Sequence, residues 1–92
     1  MKIQYTLNND VVARAATQLN WEINKIDGPF YIIKNERMIN AKSIIGLLSG
    51  NLHKGDTITI EFESEDSADK VREIFNEIGR EVEWLQTTDV SL

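Results

Sequence analysis

Ser43 is the residue whose type and position most clearly suggest chemistry. It stands between a polar run, Asn40-Ala41-Lys42, and an apolar segment over residues 44–48, a pattern that predicts a short helix from Ser43 to about Ser49. The first backbone N–H groups of a helix have no partners within it, and the helix dipole favours negative charge there. A phosphate on the Ser43 hydroxyl would therefore be stabilised. Serine is also a preferred N-cap residue, so the hydroxyl could instead serve only to bond one of those N–H groups.

Two other side chains could accept a phosphoryl group. His53, the only histidine, has a ring nitrogen able to attack phosphorus and lies in a loop before a predicted strand. Only Asp56, across a glycine turn, could orient that ring, and a histidine in such a turn is usually just solvated. Asp10 could form an acyl phosphate, but a helix cap or an ion pair with Arg14, four residues later, is the simpler role.

The composition excludes several other kinds of chemistry. The 92 residues, 41% of them hydrophobic, suit one compact globular domain. There is no cysteine and only one histidine, which excludes disulfides, thiolate metal sites and histidine-rich metal centres, and we expect no cofactor. The net charge of −5 argues against nucleic-acid binding, which requires a basic face. No apolar run is long enough to span a membrane and no signal peptide is evident, so we expect a cytoplasmic protein.

The elements that must position these side chains follow from hydrophobic periodicity. Alternating apolar residues predict strands, and apolar residues at steps of three and four predict two long amphipathic helices. On the first helix these apolar residues, which we expect to face the core, are Val12, Ala16, Leu19, Ile23 and Ile26. The order of elements implies an α+β fold, in which an antiparallel sheet is covered by helices on one face. In chain order we predict a strand at 2–7, a helix over about 12–26, strands at 30–34 and 37–41, the short helix at 43–49, a strand at 57–62 and a helix from a cap at Asp66 to about residue 78.

Two segments carry a resemblance to a known family. The segment from Asn40 to Ser49 resembles the regulatory-serine motif of the HPr phosphocarrier family of the bacterial sugar phosphotransferase system, and Gly55 to Ile60 resembles its glycine turn and fourth strand. The order of elements over residues 2–79 is also similar. The resemblance implies an open-faced sandwich, in which a four-stranded antiparallel sheet is covered on one face by two long helices and one short helix. We therefore predict an HPr-like domain at residues 1–79 and a C-terminal extension at 80–92.

The start of the first helix departs from the active-site motif of that family, Gly-x-His-Ala-Arg-Pro-Ala. The chain has Asp10-Val11-Val12-Ala13-Arg14-Ala15-Ala16 there, so that Val12 occupies the position of the phosphate-accepting histidine. Valine has no lone pair and can neither accept nor release a phosphoryl group. In this respect the chain is similar to the catabolite-repression HPr-like proteins, which also lack the histidine and keep the serine. We predict a protein that is not an enzyme and has no catalytic residue, with Ser43 as its regulatory phosphorylation site.

A docking surface is predicted beside Ser43. Residues 44–48 hold four large aliphatic side chains, more than one short helix can bury against a sheet. The alternative is that they belong to the core on one side and are harmlessly exposed on the other. The resemblance implies that they form, with the start of the first helix, a common surface for kinases, transport components and transcriptional regulators. The partner-binding residues that we predict are Arg14, Thr17, Ile44, Ile45 and Leu48.

These predictions together favour a regulatory protein-binding module that an HPr-type serine kinase switches at Ser43. A phosphocarrier that uses another acceptor and an oligomerising structural module are the alternatives. The oligomerising module is suggested by Trp21, which lies outside the apolar stripe of its helix, and by the extension, where residues 81–85 alternate like a short strand and Trp84 is costly to leave exposed. We expect a monomer or a weak homo-oligomer.

Overall fold

The computed structural model describes residues 1–82, and residues 83–92 lie outside the described residues. The α+β class and the predicted order of elements are confirmed. Among residues 1–82, no helix is long and apolar enough to cross a membrane. In chain order the elements are β1 (Lys2–Leu7), α1 (Ala13–Ile23), β2 (Phe30–Lys34), β3 (Arg37–Asn40), α2 (Ile44–Leu48), β4 (Thr57–Phe62), a 3₁₀ turn (Glu65–Ser67), α3 (Ala68–Asn76) and β5 (Gly79–Glu81).

The strands form one antiparallel sheet in the order β3-β2-β4-β1-β5. β1 pairs with β4 on one side, where Ile3 lies opposite Ile60, and with β5 on the other, where Leu7 lies opposite Gly79. The predicted sheet of four strands is therefore one strand too small. Gly79 permits the fifth strand, because a Cβ at this position would lie 2.5 Å from the backbone oxygen of Thr6. β5 also runs across the domain boundary that we predicted after residue 79.

An aromatic core lies between the sheet and the helices. The ring of Phe30 stacks on those of Phe62 and Phe75, with centroids 5.9 and 6.1 Å apart, and the Tyr5 ring lies 5.7 Å from that of Phe75. Tyr5 is fully buried, and its hydroxyl donates to Oδ1 of Asn76, the last residue of α3, at 2.8 Å. Burial raises the pKa of the Tyr5 phenol, which favours the neutral form that makes this bond. The layers are thus joined by a hydrogen bond as well as by apolar packing.

The start of the first helix differs from the prediction. The periodicity placed Val12 on the core face, but Val11 is the buried residue, with 2% of its surface exposed, whereas Val12 is 48% exposed. Val11 is tied to the core because its N–H donates to Leu52 O at 2.9 Å, and the extended Val12 that follows turns its side chain outward. The helix therefore begins at Ala13 and ends at Ile23, shorter than predicted at both ends.

Candidate docking surface and phosphorylation site

Ser43 begins α2 as its N-cap residue. Its backbone is extended, with φ −94° and ψ 121°, and its Oγ accepts a hydrogen bond from Gly46 N at 3.1 Å. Asn40 prepares this turn, because its side-chain oxygen accepts from Lys42 N at 3.0 Å and its backbone oxygen accepts from Ser43 N at 3.1 Å. Glycine is required at position 46, where a Cβ would lie 2.9 Å from the Asn40 backbone oxygen. The capping role of Ser43 is confirmed, and its phosphorylation stays a prediction.

Val12 is the N-cap residue of α1, as Ser43 is of α2, but its side chain has no oxygen that could accept a hydrogen bond or a phosphate. It is the N-cap residue in an extended conformation, with φ −133° and ψ 159°, and its side chain makes no capping hydrogen bond. The next residue, Ala13, has a φ of 48°, in the left-handed region that alanine rarely adopts. Thr17 Oγ1 donates to the backbone oxygen of Ala13 at 3.2 Å. The start of α1 thus presents an apolar side chain where the family resemblance places a phosphate acceptor.

Hydrogen bonds at both ends fix how α1 and α2 lie against each other. Asn20 and Asn24, at the C-terminal end of α1, donate from Nδ2 to the backbone oxygens of the two residues that follow β3, at 3.1 and 3.3 Å. At the opposite end, Val11 N donates to Leu52 O, just after α2. The two helices therefore run in opposite directions. The C-terminal end of α2 therefore lies near the N-terminal end of α1.

Three exposed aliphatic side chains lie on α2 and at the start of α1. Ile45 is 73% exposed, Leu48 49% and Val12 48%, while Leu47 is fully buried. Ile45 and Leu48 are three residues apart and share one face of α2, and Ile44 is half-buried at its border. The exposure predicted for Ile45 and Leu48 is present, and their docking role stays a prediction. The sequence analysis missed Val12 as a member, because it assigned Val12 to the core in place of its neighbour.

We call this region the α1–α2 surface and define it as Val12, Arg14, Thr17, Ser43, Ile44, Ile45 and Leu48. Its charge differs from that of the rest of the chain. Segments 11–21 and 37–55, which build the surface and its borders, contain four Lys or Arg residues and no Asp or Glu, a net charge of +4. All other positions together carry −9. The segments that hold the α1–α2 surface are therefore net positive in a protein that is acidic as a whole, with Asp10 and Asp56 directly flanking them.

Arg14 and Asp10 do not form the ion pair that the sequence suggested. Arg14 is exposed, and no ion pair with another residue of the 1–82 range involves it. Asp10 instead accepts a hydrogen bond on Oδ1 from Lys54 N at 2.8 Å. Since Val12 is the N-cap residue of α1, Asp10 is not its cap either. The hydrogen bond to Asp10 thus holds the loop before β4 against the start of α1. The Arg14 side chain is exposed to solvent.

His53 lies in that same loop. The Asp56 carboxylate accepts from the backbone N–H of His53 at 2.8 Å and pairs with Lys34 Nζ at 2.9 Å, so it does not orient the imidazole. The hydrogen bond from Lys34 and then that from the His53 backbone lower the pKa of the Asp56 carboxyl. The His53 side chain is exposed, as predicted. Across residues 1–82 there is no cluster of three or more His, Asp or Glu side chains that could hold a metal ion.

Trp21 lies one turn after Thr17 on α1. It is 63% exposed, and Lys25 Nζ lies over its ring, 3.7 Å from the centroid. Its ring borders a groove of about 570 Å³ between α1 and α3, whose floor includes Leu19 and Ile74. Trp21 is thus explained by a cation–π contact with Lys25, two residues after the end of its own helix, rather than by core packing. The prediction made for Trp84 lies outside the described residues.

Comparison with known proteins adds to this geometry. A family model described as "PTS HPr component phosphorylation site" matches residues 2–78. The chain is 30% identical over 80 residues to the HPr-like protein Crh of Halalkalibacterium halodurans, covering 87% of this chain and 95% of the relative. It is 27% identical over 81 residues to the HPr-like protein Crh of Bacillus subtilis, covering 88% and 95%.

Solved structures are similar as well. The phosphocarrier protein HPr of Bacillus anthracis superposes with a TM-score of 0.70 at 29% identity, over 85% of this chain and 93% of that one. The histidine-containing phosphocarrier protein of a mycoplasma superposes with a TM-score of 0.69 at 26% identity, over 84% and 89%. The family match over residues 2–78 therefore spans the strands β1 to β4 and the helices α1, α2 and α3.

Proposed function

The chain belongs to the HPr family, and on that premise we propose that it is a regulatory protein-binding module of the Crh-like kind, switched by phosphorylation of Ser43. The proteins of this family are phosphocarriers and not enzymes, and the chain is a member of the family. The observation that carries the proposal is the contrast between two N-cap residues. Val12 is exposed and offers no acceptor atom, whereas Ser43 holds a hydroxyl at the mouth of α2.

Val12 removes the carrier step in this proposal. Phosphoryl transfer through histidine needs a ring nitrogen that attacks phosphorus and later leaves it, and an isopropyl group can do neither. The exposed Val12 instead adds apolar area beside Leu48 and Ile45. The position that the resemblance assigns to a transient phosphate therefore becomes a permanent part of a binding surface.

The chemistry of the α1–α2 surface specifies the partner. Apolar side chains at its centre require an apolar counterpart, and the net +4 of the surrounding segments favours acidic residues at the partner's rim. The candidate partners are an HPr-type serine kinase, a transcriptional regulator or a transport component. We place the protein in the cytoplasm as a monomer or weak homo-oligomer without a cofactor.

Phosphorylation of Ser43 would change this surface locally. A phosphoserine adds about −1.5 to −2 charge at neutral pH. Ser43 directly precedes Ile44 and Ile45, so the added charge would stand beside the most exposed aliphatic side chain of the surface. Partners that prefer a neutral apolar surface would be released, and partners that offer Arg or Lys would be recruited.

The test is incubation with ATP and an HPr-type serine kinase, followed by intact mass measurement. We expect one acid-stable phosphate, which Ser43→Ala abolishes. Ser49→Ala is the matched control, because Ser49 lies at the other end of α2, where its Oγ donates to Ile45 O at 2.8 Å. A kinase that labels an ordinary HPr but leaves this chain unmodified would contradict the proposal.

A second candidate function, phosphate transfer through His53, is favoured by one observation. The hydrogen bonds from Val11 N to Leu52 O and from Lys54 N to Asp10 Oδ1 hold the backbone on both sides of His53 against the start of α1. Its imidazole is therefore carried near the position that the resemblance assigns to the carrier histidine. Phosphoenolpyruvate and the general phosphotransferase that charges an ordinary HPr provide the test. An acid-labile phosphate that His53→Gln removes would support this function and overturn the first.

A further inference from the structure

The groove between α1 and α3 has an apolar floor and an exposed aromatic ring at its border. Leu19 of α1 and Ile74 of α3 are 5% and 8% exposed, and the partly buried Ile78 continues the floor past the end of α3. The Trp21 ring borders the groove and is 63% exposed. Tryptophan is enriched among the residues that contribute most to binding, because its large ring leaves water when a partner packs on it. The groove is therefore suited to receive apolar side chains.

The groove extends along both helices. Lys70, in the first turn of α3, lies 3.7 Å from Glu22, in the last turn of α1, so α3 begins beside the end of α1. Ala15, near the start of α1, and Ile78, after the end of α3, line the same groove. On α1 the lining runs from Ala15 to Glu22, about two helical turns. A groove of this kind accepts the apolar face of a third helix.

The rim of the groove is acidic. Among residues 1–82, those that line the groove include three glutamates, Glu22, Glu73 and Glu77, and no Lys or Arg. Two of these carboxylates already bind ammonium groups from outside the lining. Lys70 Nζ lies 3.3 Å from Glu73 and 3.7 Å from Glu22, and Lys25 Nζ lies 3.1 Å from Glu22.

Glu77 differs from the other two glutamates. It is exposed, and it has no ion pair with another residue of the 1–82 range. It is also the C-cap residue of α3, whose last turn contains no basic residue. A carboxylate is unfavourable at this end of a helix, where the dipole is negative and a basic group is stabilising. The groove therefore combines apolar floor with a negative charge that a basic ligand would neutralise.

We propose that this groove binds a basic amphipathic helix of a partner protein, whose apolar side chains lie on Leu19 and Ile74 and whose Lys or Arg side chain pairs with Glu77. A second copy of this chain fits less well. Its α2 has exposed apolar side chains but only five residues, none of them Lys or Arg.

This binding site goes beyond the proposed function. The groove shares Thr17 with the α1–α2 surface, but its preference for charge is the reverse. The acidic rim selects a basic ligand, whereas the net +4 of the segments that hold the α1–α2 surface favours an acidic one. The two sites therefore select different partners, and neither depends on the other.

The experiment titrates the isotope-labelled full chain with a synthetic helical peptide of about 14 residues made of Leu and Lys. We expect saturable shifts of amide resonances confined to residues 15–22 and 73–78. The same peptide with Glu in place of each Lys should leave these resonances unchanged. Shifts centred elsewhere, or an equal effect of the Glu peptide on these resonances, would overturn the proposal. Groove resonances that shift with protein concentration in the absence of peptide would identify a second copy as the occupant and would also overturn it.

Three variants sharpen the assignment, and thermal melting checks that each one folds. Trp21→Ala should weaken binding of the Lys peptide about tenfold, and Glu77→Gln about threefold. Glu36→Gln is the matched control, because it removes the same charge from an exposed turn between β2 and β3, and it should leave the affinity unchanged. An equal loss in Glu36→Gln would show attraction to net charge alone. That result, or an unchanged affinity of Trp21→Ala, would overturn the proposal.

Discussion

The starts of α1 and α2 differ in chemistry although both begin at an extended N-cap residue. Ser43 accepts a hydrogen bond from Gly46 N at 3.1 Å, and the turn before it is fixed by Asn40. Val12 makes no capping bond and is followed by an alanine in the left-handed region, a conformation that costs on the order of 1–3 kcal/mol. Both N-cap residues are extended, but only Ser43 has a side-chain oxygen, so of the two only Ser43 has an atom that could accept a phosphate.

The largest expected effect comes from restoring the family's active-site motif at the start of α1. Val12→His alone should gain no acid-labile phosphate from phosphoenolpyruvate and the general phosphotransferase, because Asp10 and Ala15 also depart from the family motif. The triple variant Asp10→Gly, Val12→His and Ala15→Pro restores that motif and should be charged. Intact mass measurement before and after acid treatment distinguishes the two. Rapid charging of the single variant would show that residue 12 alone separates the two helix starts.

The next largest effect distinguishes the buried residue of α2, Leu47, from the exposed residue Ile45 by the stability that each loses on truncation to Ala. Leu47 is fully buried, so Leu47→Ala should lower the free energy of unfolding by about 2–5 kcal/mol. Ile45 is 73% exposed, and Ile45→Ala should change it by no more than about 0.5 kcal/mol. The same Ile45→Ala should weaken binding to the serine kinase about tenfold, or roughly 1.4 kcal/mol. Denaturant titration and a binding titration measure both quantities. If Ile45→Ala unfolds as easily as Leu47→Ala, Ile45 belongs to the core and the docking hypothesis loses its main support.

A smaller effect compares the two caps directly. Ser43→Ala should lower the free energy of unfolding by about 1 kcal/mol, because the N–H of Gly46 loses its partner. Val12→Ala removes no capping bond and should cost less. Val12→Ser should stabilise by up to about 1 kcal/mol, since the extended backbone allows a hydroxyl to reach the first turn. Thermal melting of the three variants provides the measurement, and a neutral Ser43→Ala would contradict the capping account.

The smallest effect concerns the loop that abuts the start of α1. The pKa of Asp56 is lowered by its bonds to Lys34 and to the His53 backbone. A carboxyl with a lowered folded-state pKa stabilises the fold above its ordinary pKa, and that contribution is lost as the pH falls through the lower value. Lys34→Met should therefore destabilise the protein slightly at neutral pH, and the difference should vanish in acid. Unfolding curves at neutral and acid pH test this, with Lys70→Met as the control that leaves Asp56 paired. A difference that persists in acid would assign the loss to the packing of Lys34 or to its hydrogen bond with the Asn51 backbone oxygen.

Much of this structure could be predicted from the sequence. The alternation of Ile58, Ile60 and Phe62 fixed β4, and the position of Ser43 before an apolar run predicted the cap that α2 has. Such local patterns depend on neighbouring residues, which the sequence shows directly. The exposure of Ile45 and Leu48 followed from the same reasoning, because one short helix buries only one side.

The predictions were wrong where contacts between residues far apart in sequence determine the local structure. β5 spans Gly79–Glu81, whereas the alternation in the sequence indicated a short strand at 81–85. The strand begins earlier because Gly79 lets two backbones approach. The choice between Val11 and Val12 depends on a hydrogen bond to Leu52, about 40 residues away in sequence. Asp10 bonds Lys54 rather than Arg14 for the same reason. Contacts of this kind have no periodic pattern and could not be predicted from one sequence.

The difference in net charge between the segments that hold the α1–α2 surface and the rest of the protein bears on the rate of association with a partner. Two segments carry a net +4, against −7 on the rest of residues 1–82. If an acidic partner binds the α1–α2 surface as proposed, this uneven charge would favour approach with that surface in front and so raise the association rate constant. At physiological ionic strength this attraction acts over about 8 Å. A phosphate on Ser43 would cancel nearly half of this positive charge, so the modification would slow the encounter as well as alter the contact.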